Sequence, residues 1–69
     1  MEYAESILAE RARRRVNQTD LADRIGIHRS TLVDIERVRI EIAEATYARI
    51  MDAIRQISEE NPAEAAVSL

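Results

Sequence analysis

The sequence predicts an all-α domain of four to five short helices built around a helix-turn-helix. Two observations lead there. Phe and Trp are absent, one glycine and one proline occur, and the 69 residues are rich in Ala, Ile, Glu and Arg. That is a composition of good helix formers with small aliphatic core side chains. The single glycine sits inside the apolar-periodic stretch LADRIGIHRSTLVDIE, residues 21–36. Within a helix it would cost about 1 kcal/mol relative to alanine, so it marks a place where one helix ends and another begins.

The first helix is read over residues 4–14, where Tyr3, Ile7, Leu8, Ala12 and the stem of Arg11 recur at helical spacing. Asn17 is an N-cap residue, and Asp20 stands in the reciprocal capping position three residues on. The second helix covers residues 18–25 and buries Leu21, Ala22 and Ile25. Gly26 is then the left-handed residue after a helix C-terminus, where a Cβ would clash. Residues 26–28 form the turn, with Ile27 plugging the gap between two helices and His28 at the next N-cap. The third helix spans residues 29–37, with Leu32 and Ile35 inward. VRIEI, residues 38–42, alternates and reads as an extended connector with Ile40 and Ile42 pointing inward.

The fourth helix runs over residues 43–58. Its apolar band of Ala43, Thr46, Tyr47, Ile50, Met51, Ala53, Ile54 and Ile57 is wider than one core stripe needs. In NPAEAAVSL, Asn61 is a cap, Pro62 takes the first helical position and Glu64 the third. That segment is either a short fifth helix or a frayed tail. Residues 1–60 thus form one helix-turn-helix domain, with the motif at about 18–37, and residues 61–69 follow it.

Several function classes are set aside by the residues. Without cysteine there is no disulfide framework or thiolate chemistry. One histidine and no cysteine leave no ligand set for zinc. The apolar runs are too short to span a membrane, and MEYAESILAE lacks the basic start of a signal peptide. The expected location is cytoplasmic. No Ser-His-Asp set, carboxylate pair, P-loop or metal motif is evident, so neither enzyme activity nor a cofactor is expected.

Charge is informative by location. The chain carries −3 overall, yet residues 11–39 hold eight arginines against four acids, a local +4. The remainder holds two arginines and nine acids, a local −7. Solvated helix faces account for such polarity as well as a phosphate-facing surface does. Every basic residue is arginine, whose planar fork suits phosphates and guanine edges.

NQTDLADRIGIHRSTLVDIER resembles the helix-turn-helix of the phage repressor and Cro type, the xenobiotic-response-element or lambda-repressor-like family. The matching residues are Gln18, Leu21-Ala22, Ile25-Gly26-Ile27, Leu32 and Ile35-Glu36. Small Ala22 lets the two helices cross closely. The resemblance covers residues 7–39 well and the fourth helix loosely. It implies double-stranded DNA as the partner, with the third helix in the major groove. The base-facing set it implies is Arg29, Ser30, Val33 and Asp34. Arg29 leads, because arginine bidentate to guanine is the commonest specific contact. Asp34 either accepts from a cytosine amino group or orients Arg37.

Gln18, Arg37 and Arg39 are implied as contacts to the DNA backbone, and Gln18 also as a brace of the reading helix. His28 is a capping or turn residue first and a backbone contact second. Arg13, Arg14 and Arg15 are either flanking phosphate contacts or a solvated helix end. Glu36 is implied to pair with Arg11, pinning the first helix to the third. Ala22 and Gly26 complete the structural set.

Two positions depart from the family pattern. Arg15 and Val38 stand where the family usually has glycine, so both connectors are expected to differ in shape. A homodimer is expected, because a small module reads few base pairs and two copies read half-sites about 34 Å apart. Met51, Ile54, Ile57, Val67 and Leu69 are the expected dimer surface. The expected function is a homodimeric repressor of a phage or mobile-element promoter. An antitoxin or adaptor module using the fourth helix and the acidic tail is the alternative.

Overall fold

The computed structural model describes residues 3–60, and within them there are four helices and no strand. The helices are α1 (Tyr3–Arg13), α2 (Gln18–Ile25), α3 (Arg29–Glu36) and α4 (Glu44–Glu60). The fifth-helix segment, with Val67 and Leu69, lies outside the described residues.

Each helix forms for a local reason. The Asn17 side chain accepts a hydrogen bond from the Asp20 backbone N–H at 2.8 Å and opens α2. Arg11 and Arg13 in the last turn of α1 oppose its dipole favourably. α4 is the longest element, and Ile50, Ala53, Ile54 and Ile57 recur along its buried face.

The three joints between helices share one construction. At each, a left-handed residue follows the helix, its N–H returns three residues back, and the next N–H returns five residues back. After α2 these bonds are Gly26 N to Asp23 O at 3.3 Å and Ile27 N to Ala22 O at 3.0 Å. After α1 they are Arg15 N to Ala12 O at 3.2 Å and Val16 N to Arg11 O at 2.9 Å. After α3 they are Val38 N to Ile35 O at 3.1 Å and Arg39 N to Asp34 O at 2.8 Å. This is the Schellman cap. Its left-handed position has φ 78° at Gly26, 59° at Arg15 and 61° at Val38.

The connectors therefore do not take a different shape for want of glycine. Arg15 and Val38 hold the left-handed conformation despite a Cβ, a strain of about 1–2 kcal/mol each. The first two caps drop an apolar residue onto the core: Val16 is buried and Ile27 half-buried against it.

The core is assembled from all four helices and the α1–α2 joint: Ile7, Val16, Leu21, Ala22, Leu32, Ile35, Ile50, Ala53, Ile54 and Ile57. Tyr3 and Tyr47 stack with ring centroids 4.3 Å apart, joining the starts of α1 and α4. At the other end of α4, Arg24 of α2 donates to both carboxylate oxygens of Glu60. Three expectations are corrected here. Leu8 is 46% exposed, because its neighbour Ile7 takes the core face and the next side chain points about 100° away. Ile40 is 40% exposed rather than inward, whereas Ile42 does pack against the core. Ile54 and Ile57 are buried inside the single chain, so neither offers surface to a second copy; Met51 is half-buried beside them.

Candidate nucleic-acid interface

The site begins at Gly26. Its left-handed backbone turns the chain sharply after α2, and α3 starts three residues later. Leu32 and Ile35 anchor the inner face of α3 in the core, which leaves the start of the helix outward. Arg29 and Ser30 are exposed there. Val33 and Asp34 lie four residues beyond each, on the same outer face, and are half-buried. The four residues expected to read bases therefore form one continuous strip.

His28 has extended φ and ψ of −71° and 147° at the N-cap of α3, and its side chain makes no capping hydrogen bond. The capping role is thus replaced by an exposed imidazole beside the uncapped first turn. Free N–H groups at a helix start favour an anion.

Asp34 also differs from the reading that tied it to Arg37. Its carboxylate lies 3.7 Å from Arg39 Nη1. The α3 cap explains the choice, because it folds Arg39 back over the last turn while Arg37 remains exposed at the C-cap. Arg29 and Arg37 make no ion pair among the described residues.

Behind the strip sits a polar brace. Glu36 accepts from Arg11 Nε at 2.8 Å, Arg11 Nη2 at 3.2 Å and Gln18 Nε2 at 2.9 Å. Arg11 Nη1 donates further to the Val16 carbonyl at 3.1 Å. One carboxylate thus joins the end of α3 to α1 and to the first residue of α2. Ala22, buried where α2 meets the core, adds no side-chain bulk to that packing. The brace sets where Gln18 stands relative to Arg29 and is itself rigid, since its charges are paired and mostly out of water.

The three arginines of the α1 end are separated by the structure. Arg13 and Arg14 both donate to Glu10. Hydrogen bonds from Arg13, then Arg14, hold the Glu10 carboxyl below its ordinary value. Arg15 is exposed and makes no ion pair among the described residues.

Sequence reasoning missed a second feature. Among the described residues Leu8, Val38 and Ile40 are the exposed large apolar side chains, and all three line one groove between α1 and the α3–α4 connector. The signal was available in part: Ile7 and Leu8 are adjacent, and their side chains leave the helix about 100° apart, so a narrow core stripe on α1 takes one large side chain of the two. Among the described residues no group of acids and histidines could hold a metal ion, and no helix is long and apolar enough to cross a membrane.

No curated protein and no solved structure matches the chain. A family model described as a helix-turn-helix domain matches residues 7–64, a span that takes in α2, α3, α4 and most of α1. With the Gly26 turn, the anchored α3 and that match over most of its length, the chain belongs to the helix-turn-helix domain family.

Proposed function

We propose that the protein is a sequence-specific DNA-binding regulator of the lambda-repressor-like, phage repressor and Cro type. It acts as a homodimeric repressor in the cytoplasm of a prokaryotic cell, reading an inverted-repeat operator of a phage or mobile-element promoter. The family supports the general part, since a helix-turn-helix domain is a DNA-binding module and typically not an enzyme. The observation that carries the specific part is the uncovered start of α3, with Arg29 and Ser30 exposed on a helix held from behind by Leu32 and Ile35.

In this reading Arg29 takes the O6 and N7 edge of a guanine, and Val33 meets a thymine methyl. Ser30 serves either base. Asp34 accepts from a cytosine amino group on the side its Arg39 pair leaves open. Gln18, His28, Arg37 and Arg39 hold phosphates and fix the docking register. Occupying the promoter is sufficient for repression.

Selection from random duplexes tests the reading. Enriched sites with inverted symmetry are expected, and their affinity should fall steeply with salt, by a log–log slope of about −0.9 per phosphate contacted. Unenriched pools, or binding indifferent to salt, would overturn it.

A further inference from the structure

We propose that Arg39 is a positioning residue for the Asp34 carboxylate. It balances that charge on the outer strip of α3, so that Asp34 reads a base instead of repelling the duplex. The inference rests on the DNA-reading role proposed above and gives Arg39 a part in specificity beside its phosphate contact.

Asp34 is the acid of the strip it forms with Arg29, Ser30 and Val33. Duplex DNA carries a negative charge about every 1.7 Å along its axis, so a bare carboxylate pressed against it is repelled. Arg37, three residues on, has the helical spacing to balance that charge, yet it makes no ion pair among the described residues. Arg39 does so instead, and the main chain brings it there. Past the left-handed Val38, the Arg39 N–H donates to the Asp34 carbonyl at 2.8 Å. Val38 is β-branched at φ 61°, so this cap is held against local preference. The two residues are thus set side by side by backbone geometry, not by the reach of a long side chain alone.

The spacing of the pair suits a reading carboxylate. Arg39 Nη1 lies 3.7 Å from Asp34 Oδ1, within ion-pair range and beyond hydrogen-bond length. The Asp34 side chain makes no hydrogen bond among the described residues. Its charge is therefore balanced while both oxygens keep their capacity to accept, which a cytosine amino group requires. The Arg39 side chain is 65% exposed, so other N–H donors of its fork remain for a phosphate. In the free protein so exposed a pair contributes little to stability. Its effect is felt where DNA excludes water from it.

A double-mutant cycle tests the assignment, with binding measured on the selected operator and on operators changed one base pair at a time. Asp34→Ala is expected to flatten preference at one base pair of each half-site. Arg39→Ala should flatten the same base pair, and Arg39→Lys, which keeps the charge, should restore it. Arg39→Ala should also cost about tenfold more affinity in wild type than in the Asp34→Ala background. Melts should match wild type throughout, since the cap bonds are made by backbone. Equal losses in both backgrounds, with base preference intact, would overturn the proposal and leave Arg39 a phosphate contact only. Full preference retained by Asp34→Ala would overturn it too, because Asp34 would then read nothing. Failure to select any operator is a separate result: it removes the DNA-reading role itself, and this proposal with it.

Discussion

Arg11 and Glu36 face each other through a two-pronged contact, Nε to Oε2 at 2.8 Å and Nη2 to Oε1 at 3.2 Å. Their side chains are 17% and 4% exposed. The two are 25 positions apart in sequence, and the pair closes α1 onto the last turn of the proposed reading helix. Gln18 shares the same carboxylate, so the start of α2 is fixed by the same group. Removing one side of such a pair leaves the other charge poorly solvated.

Glu36→Ala is therefore expected to destabilise the fold by about 3 kcal/mol, which lowers Tm by more than about 10 °C in a domain of this size. Glu36→Gln keeps one acceptor and should lose less. Thermal melts by circular dichroism check both, and an Ala variant that melts with wild type would mean the contact contributes nothing to stability.

The three Schellman caps give opposite expectations at two positions. Gly26→Ala places a Cβ at φ 78°, with no heavy atom within 4 Å of it, so the cost is conformational and about 1–2 kcal/mol. Arg15→Gly relieves the same strain and should raise Tm by about 4–8 °C. The same change removes an exposed, unpaired arginine beside the start of α2. If Arg15 holds a phosphate, the variant binds DNA more weakly and its salt slope is shallower by about 0.9. A variant both more stable and weaker on DNA assigns the side chain to binding; unchanged affinity and slope would remove Arg15 from the interface.

Much of the fold was legible because its signals are local. Asn17 and Gly26 fix the two ends of α2 through their own chemistry, and the 3.6-residue period of α4 needs no partner to be seen. The joints at Arg15 and Val38 were not legible, because neither residue prefers φ > 0. The tertiary anchoring of α1 and α3 imposes that conformation against local preference. The width of the α4 band misled for a related reason. A sequence shows that Ile54 and Ile57 are apolar, but not that α1 and α2 come from elsewhere to pack against α4. At the interface, the strip from Arg29 to Asp34 was implied by the family resemblance, whereas the Asp34–Arg39 pair depends on how the α3 cap folds back.

Acid should weaken the fold in a defined direction. Hydrogen bonds from Arg13 and Arg14 hold Glu10 below its ordinary value of 4.5, and one from Arg24 does the same for Glu60. A carboxyl whose pKa is lower folded than unfolded contributes stability above the unfolded value, and loses it as pH falls through the folded one. Tm is thus expected to decline as pH drops below 4.5, with the decline small because both groups are at the surface. Glu10→Gln combined with Glu60→Gln should flatten that decline, and added salt should flatten it in wild type. An identical pH profile in the double variant would show that acid acts elsewhere.

Arg29 offers the sharpest test of the proposed interface. It is the first residue of α3, exposed, and without an ion-pair partner among the described residues, so its guanidinium has no ion pair to break on meeting a base. Its loss should leave the core untouched, since Leu32 and Ile35 anchor the helix from the other face. Arg29→Ala is expected to melt like wild type, to weaken specific binding by about 1–3 kcal/mol and to relax preference at one base pair of each half-site. Phosphate contacts behave differently: Arg37→Ala should weaken binding about equally on every sequence and reduce the salt slope by about 1. Selections run in parallel on the two variants separate the roles. Should the Arg29 variant retain the full wild-type preference, the start of α3 does not read the bases and the helix docks in some other orientation.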